Sequence, residues 1–177
     1  MKRMDGQHSL NLEVRRHIYN VILESPGLHF REIQRRTGLA TGSIDYHIHF
    51  LHKNGMIRTE KDKNYVRYYP LTKNWSEEEK AALNLLRNTK MRHILIFLLE
   101  KKRSTPLKIA EATGISLSTL SWYLKQLKEK SVISEKKKGR FRFYKINDPD
   151  NIVKYLVAHR TSFLDTVVDR FIETWEF

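Results

Sequence analysis

The chain has 177 residues, with 33 Lys and Arg against 20 Asp and Glu, a formal net charge of +13, and no cysteine. The charge points to an anionic partner, nucleic acid before an acidic membrane surface, and the missing thiols exclude disulfides, zinc-thiolate sites and thiol switches. Met1–Gln7 is polar and basic, and the longest apolar run, Ile94–Leu99, is far shorter than the roughly 20 residues that span a bilayer, so a soluble, cytoplasmic chain with no membrane partner is expected.

Leu12, Val14, Ile18, Val21 and Ile22 recur at helical spacing and predict an amphipathic helix over roughly 11–24. Ser25-Pro26-Gly27 stops it. Phe30–Arg36 reads as a short second helix ended by Gly38. Thr41, a suitable N-cap, opens a third helix that carries Ile44, Ile48 and Leu51 on one side and stops at Asn54-Gly55. Met56–Thr59 and Tyr65–Leu71 read as two strands, with the charged Glu60–Asn64 as the hairpin tip. Ser76 and Glu79 form a capping box, predicting a linker helix over Ser76–Asn88.

The same series then repeats. Helices are predicted over Met91–Lys102, Leu107–Ala112 and Ser118–Lys130, the last capped by Ser116. Val132–Lys136 and Arg140–Ile146 form a hairpin around Lys137-Lys138-Gly139. A shift of 76 positions superimposes the halves. Arg16-His17-Ile18 falls on Arg92-His93-Ile94, Thr37-Gly38 on Thr113-Gly114, and Ile44, Ile48 and Leu51 on Leu120, Leu124 and Leu127. With one residue dropped, Val66–Tyr69 falls on Phe141–Tyr144. His17 and His93 recur at one place and are expected to be structural.

Pro149-Asp150 opens a final helix expected to run unbroken to about Trp175, with one broad apolar stripe. Leu156, Phe163, Leu164, Val167, Val168, Phe171, Ile172 and Trp175 on that stripe are the candidate residues for a homodimer contact. Helix, helix, turn, helix, hairpin is the winged helix-turn-helix order. The expected fold is mainly α with small β-hairpin wings: two tandem winged helix-turn-helix domains, residues 8–75 and 91–148, joined by a linker helix, 76–90, and followed by a long C-terminal helix, 149–177.

In a helix-turn-helix the second helix of the turn lies in the major groove, so it needs one face that packs and one that reads. In the first copy Ile44, His47, Ile48 and Leu51 pack, and Gly42, Asp45, Tyr46, His49 and Lys53 lie opposite. In the second Leu120, Tyr123, Leu124 and Leu127 pack, and Ser118, Ser121, Trp122, Lys125 and Glu129 lie opposite.

The runs Thr37–Leu51 and Thr113–Leu127 resemble the ArsR/MarR-type winged-helix regulators, especially tandem archaeal ones, over roughly residues 10–147. They share a small or hydroxyl cap, an aromatic-Leu pair and a basic reading position. The resemblance implies sequence-specific binding of double-stranded DNA by a transcriptional regulator, with no cofactor. It implies DNA contacts from Thr41, Ser43, Tyr46 and His49, and from Ser118, Thr119, Ser121, Trp122 and Lys125. Asp45 and Lys53 share the first reading face. Wing residues Lys61, Lys63 and Arg67, and Lys136, Lys137, Lys138, Arg140 and Arg142, would follow the backbone or minor groove.

Two departures favour an alternative, a winged-helix scaffold for protein partners. Asp45 places an acid where phosphate is near, and Trp122 is large and apolar for a reader. A third reading, single-stranded nucleic acid, rests on the wing aromatics such as Tyr65 and Phe141. Enzyme chemistry has no support, since there is no Gly-rich phosphate loop, Cys nucleophile or Gly-x-Ser-x-Gly elbow. His47, His49 and His52 cluster in sequence but nothing placed near them completes a metal site, so no metal is expected.

Overall fold

The computed structural model describes residues 2–62 and 65–175, with side chains from residue 11 onward. The chain divides into two compact units, Met1–Asn84 and Leu85–Phe177. The first runs α1 (Lys2–Glu24), β1 (Leu28–His29), α2 (Phe30–Thr37), α3 (Thr41–Lys53), β2 (Ile57–Asp62) and β3 (Tyr65–Pro70), and α4 (Glu77–Leu86) crosses the boundary. The second runs α5 (Thr89–Lys101), α6 (Pro106–Thr113), α7 (Leu117–Glu129), β4 (Ile133–Lys138), β5 (Phe141–Ile146), α8 (Pro149–Ala158), α9 (Arg160–Phe163) and α10 (Thr166–Thr174).

In the first unit α1 ends where Gly27 takes φ 81, and the Gly27 N–H donates to the Tyr68 carbonyl at 2.8 Å. A Cβ here would be strained and would also meet the Tyr69 hydroxyl at 3.2 Å. The turn delivers Leu28–His29 to the edge of β3, a pairing the sequence analysis does not foresee, so the sheet has three strands in the order β1-β3-β2. His29 then caps α2: its Nδ1 accepts from the Glu32 N–H and its own N–H donates to Glu32, a capping box built on histidine. The expected Thr41 cap is corrected. Ala40 occupies that position, and Thr41 instead accepts a hydrogen bond from the Gln34 amide at 2.9 Å, tying α2 to α3. Glu60 to Asp62, expected in the hairpin tip, extend β2 instead, because each pairs with a β3 residue out to Tyr65.

The core of this unit is Ile18, Ile22, Leu28, Ile33, Ile44, Ile48, Leu51, Ile57 and Tyr68. Moving 76 positions along gives Ile94, Leu98, Ser104, Ile109, Leu120, Leu124, Leu127, Ile133 and Tyr144, all buried. The shift stays at 76 through the hairpins. Ile57 pairs with Pro70 and Ile133 with Ile146, while Leu28 pairs with Tyr68 and Ser104 with Tyr144. The dropped residue in the sequence alignment is therefore corrected. A one-residue slip would exchange the two faces of each strand, and Arg67 corresponds to Phe143, not to Arg142.

The single C-terminal helix is also corrected, for the structure divides it into α8, α9 and α10. Leu164 takes a left-handed conformation, and Asp165 caps α10 through the Val167 N–H at 3.0 Å. The same carboxylate accepts from Arg92 Nε at 2.8 Å and lies 2.9 Å from His93 Nε2, both on α5. The break thus lets one acid meet the Arg92 guanidinium, which is only 3% exposed. Leu156, Phe163, Val168 and Phe171, expected at a dimer contact, are buried within this chain. Val167, Ile172 and Trp175 are half-buried, and Leu164 is 76% exposed.

His47 occupies the packing face of α3 at 2% exposure, and its Nδ1 has no hydrogen-bond partner among the described residues. Burial, reinforced by the Arg15 charge, pushes its pKa down. Burial also lowers that of His29, with Glu32 opposing and Arg67, Arg35 and Arg31 adding to the shift. A histidine depressed in the folded state contributes stability above the unfolded value of about 6.5, lost as pH falls through the folded value. The denaturation midpoint of the first unit is expected to drop between about pH 7 and pH 5.5, with a smaller drop in His47→Gln. An equal drop in that variant would remove His47 as the cause.

Candidate nucleic-acid interface

The second helix-turn-helix is set by three local devices. Pro106 starts α6, Gly114 ends it in a left-handed conformation, and Ser116 caps α7 by accepting from the Thr119 N–H. Ser116 also donates to the Thr119 hydroxyl at 2.9 Å, and Ser121 donates to the Leu117 carbonyl at 2.8 Å. Leu120, Leu124 and Leu127 are buried beneath, so Ser118, Ser121, Trp122 and Lys125 stand exposed on the opposite face.

The wing is held to this helix through Glu135. Its carboxylate accepts from Lys128 of α7 at 2.5 Å and from the Tyr144 hydroxyl at 3.3 Å, and it lies 3.6 Å from Arg142 Nε. The hydrogen bond from Lys128 holds the Glu135 pKa below the usual carboxylate range. Between α7 and the hairpin runs a cleft of about 380 Å³, whose lining includes Ser121, Lys125, Lys128, Arg142 and Tyr144. Sequence analysis misses Glu135, because only the strand pairing shows that it shares a face with Tyr144 and Arg142.

The first unit repeats the frame with different charges. Tyr46 and Trp122 are equivalent by the 76-residue shift, at 58% and 55% exposure, and each ring stands edge-on to the next residue's ring. Thr41, Asp45, His49 and Lys53 are exposed beside Tyr46, and Ser43 is half-buried. Lys61 is exposed on the wing, while Lys63 lies outside the described residues. Arg67 is a correction, being 8% exposed and unavailable as a surface cation. It donates to Asp62 and to the Gly27 carbonyl, each at 2.8 Å, because its place on β3 points it into the β1 turn. His17 is exposed, in contrast to its counterpart His93.

Sequence analysis also misses Arg31 and Arg35, both exposed on α2. They lie one turn apart, on the side of the helix away from the buried Ile33. That spacing was a readable signal. The second unit has Leu107 and Glu111 at these places.

Two helix-turn-helix motifs, each followed by a hairpin wing and built on one repeated core, define the class: this is a tandem winged helix-turn-helix protein. Two family models agree. Residues 12–83 match the model of an N-terminal helix-turn-helix domain, and residues 87–134 match that of a winged helix-turn-helix DNA-binding domain. An uncharacterized HTH-type transcriptional regulator of Methanocaldococcus jannaschii is 29% identical over 152 residues, covering 86% of this chain and 37% of the relative. The chain thus spans little more than a third of that protein's length. Among solved structures, HlyU from Vibrio cholerae is 21% identical, with 49% of this chain and 97% of that one covered and a TM-score of 0.41. A mutant of ZitR from Lactococcus lactis is also 21% identical, covering 76% of this chain and 84% of that one, with a TM-score of 0.40.

Proposed function

We propose that the chain is a transcriptional regulator that binds double-stranded DNA sequence-specifically, with α7 in the major groove and the second wing along the phosphate backbone. One observation carries this reading: the Glu135 contacts gather the exposed polar face of α7 and the cationic hairpin around one cleft. Ser118, Ser121 and Lys125 would meet base edges, Thr119 would support the helix start, and Trp122 would meet thymine methyls. Lys137, Arg140 and Arg142 would take phosphates. In the first unit Tyr46, His49 and Lys53 would face DNA, with Arg31 and Arg35 on the backbone. The match of residues 87–134 to a DNA-binding model supports the assignment.

The reading assigns no catalytic role. It places the protein in the cytoplasm, and among the described residues no helix is long and apolar enough to cross a membrane. It includes a homodimer, the arrangement that fits pseudo-palindromic half-sites. Leu164, exposed beside the half-buried Val167, would lie at its contact.

The test is a titration of duplex DNA at low and raised salt, read by anisotropy and by sedimentation. Nanomolar to micromolar binding that weakens steeply with salt is expected, with two chains per complex. A folded chain with no salt-sensitive binding would overturn the reading. It would favour protein docking, for which the exposed rings of Tyr46 and Trp122 offer anchors.

A further inference from the structure

The second wing has two cationic faces. Side chains alternate along a strand, so Lys137 shares the α7 side with Glu135, Tyr144 and Arg142. Lys136 and Lys138, with Phe143 and Lys145 on the paired strand, share the other. Arg103 joins this rear face, its guanidinium 5.7 Å from the centre of the Phe143 ring. These five residues are among those lining a groove of about 570 Å³. Lys136, Lys138, Lys145 and Arg103 are all exposed, and no carboxylate is among the lining residues.

The first unit shows what this face looks like when it is structural. At the equivalent positions it has Glu60 for Lys136, Asp62 for Lys138, Arg67 for Phe143 and Tyr69 for Lys145. Lys80 of α4 donates to Glu60 at 2.7 Å, Arg67 pairs with Asp62, and the Tyr69 hydroxyl donates to Asn84 at 2.8 Å. Tyr69 is fully buried, beside Trp75 and Leu83. That face is neutralised and covered by its own chain. In the second unit the same face keeps the hairpin backbone but replaces two acids and a buried ring with three exposed lysines. Such a concentration of like charge opposes folding unless an anion relieves it.

We propose that this rear face is a second nucleic-acid contact, taking the phosphate backbone of DNA that does not lie against α7. The spacing suits that partner. Lys136 and Lys138, two residues apart on one strand, stand on the order of 7 Å apart, comparable to the rise over two nucleotides of one DNA strand. The proposal rests on the DNA-binding reading above, and it adds a grip on a neighbouring stretch of the same duplex or on a second duplex.

The experiment is lysine acetylation of the full chain, mapped by mass spectrometry, with a short duplex of about 20 base pairs, a long one of about 100, and excess short duplex. Lys125 and Lys137 should be protected by the short duplex at equimolar ratio. Lys136, Lys138 and Lys145 should become protected at least fivefold with the long duplex or with excess short duplex. Protection by the long duplex at equimolar ratio assigns a neighbouring stretch, and protection only by excess short duplex assigns a second duplex. The K136Q/K138Q/K145Q variant, checked for a melting curve no lower than that of the parent chain, should lower the salt slope on the long duplex by roughly 2 to 3, and less on the short one. Full reactivity of Lys136, Lys138 and Lys145 under every DNA condition, with Lys125 and Lys137 protected, would overturn the proposal and leave the DNA-binding reading intact. If none of the five were protected, that reading itself would fail. Protection of the rear face by polyglutamate but not by DNA would overturn it in favour of an acidic protein partner.

Discussion

Replacing Asp165 with Ala is expected to destabilise the second unit by about 3–5 kcal/mol, since removing one partner leaves a buried charge uncompensated. Arg92 is 3% exposed, donates to the Leu86 carbonyl at 2.6 Å and stands 5.0 Å from the Phe163 ring centre. None of these partners carries a negative charge. The substitution also removes the α10 cap, a loss of about 1 kcal/mol within that total. Amide exchange in the full chain separates the units: peptides from α5 and α10 should lose protection while those from α3 keep it. The double variant Arg92→Met/Asp165→Ala should recover much of the loss, because the orphaned charge goes with the guanidinium. A single-variant loss below about 1 kcal/mol would place the pair among the inconsequential surface bridges. Acid gives a second readout. Burial raises the Asp165 pKa, but hydrogen bonds from Arg92, His93 and the Val167 N–H outweigh it and hold the carboxyl below its usual value. Its contribution is full above the unfolded value of about 3.9 and fades as pH falls through the folded one. Through these groups, the first unit should therefore yield to acid in the histidine range and the second only in the carboxylate range.

Asp165 also shows where the sequence is silent. Its apolar neighbours have helical spacing, and nothing in that spacing marks a break. The break follows from a long-range pairing with Arg92 and His93, more than 70 positions away. Arg16 and His17 recur at the equivalent place, but both are exposed, with no such partner among the described residues. The repeated core is legible because apolar periodicity is local, and Gly38 and Gly114 mark helix ends through their left-handed backbone, Ser116 through its capping hydroxyl. Hairpin faces are harder to read. Val66–Tyr69 and Phe141–Tyr144 look alike, yet the true register is one residue off, and Arg67, which the resemblance places on the wing surface, lies inside. The exposed face of α7 needed only helical geometry. Glu135 needed the strand register as well, and the two faces of the second wing needed the pleat.

Gln at Lys137, Arg140 and Arg142 is expected to weaken duplex binding roughly 100-fold near 0.1 M salt and to lower the salt slope by roughly 2 to 3. The three residues are exposed. Arg142 has a nearby acid in Glu135, but that carboxylate also accepts from Lys128 and Tyr144, so one charge is shared among three donors. The first wing behaves differently. Lys61 is the single exposed cation of β2, where the second hairpin has several, and Lys61→Gln should change affinity by less than about 2-fold. The first unit also has exposed cations on α2. Arg31 and Arg35 sit near the start and end of that helix, exposed, in the element that crosses the backbone in a helix-turn-helix. Gln at both should cost about 10-fold and lower the slope by about 2. Anisotropy titrations of one duplex across a salt series would rank the three sets. A larger loss from Arg31 and Arg35 than from the second wing would make the first unit the main electrostatic anchor. Equal losses would mean that the two units share the duplex evenly, which their unequal charges argue against.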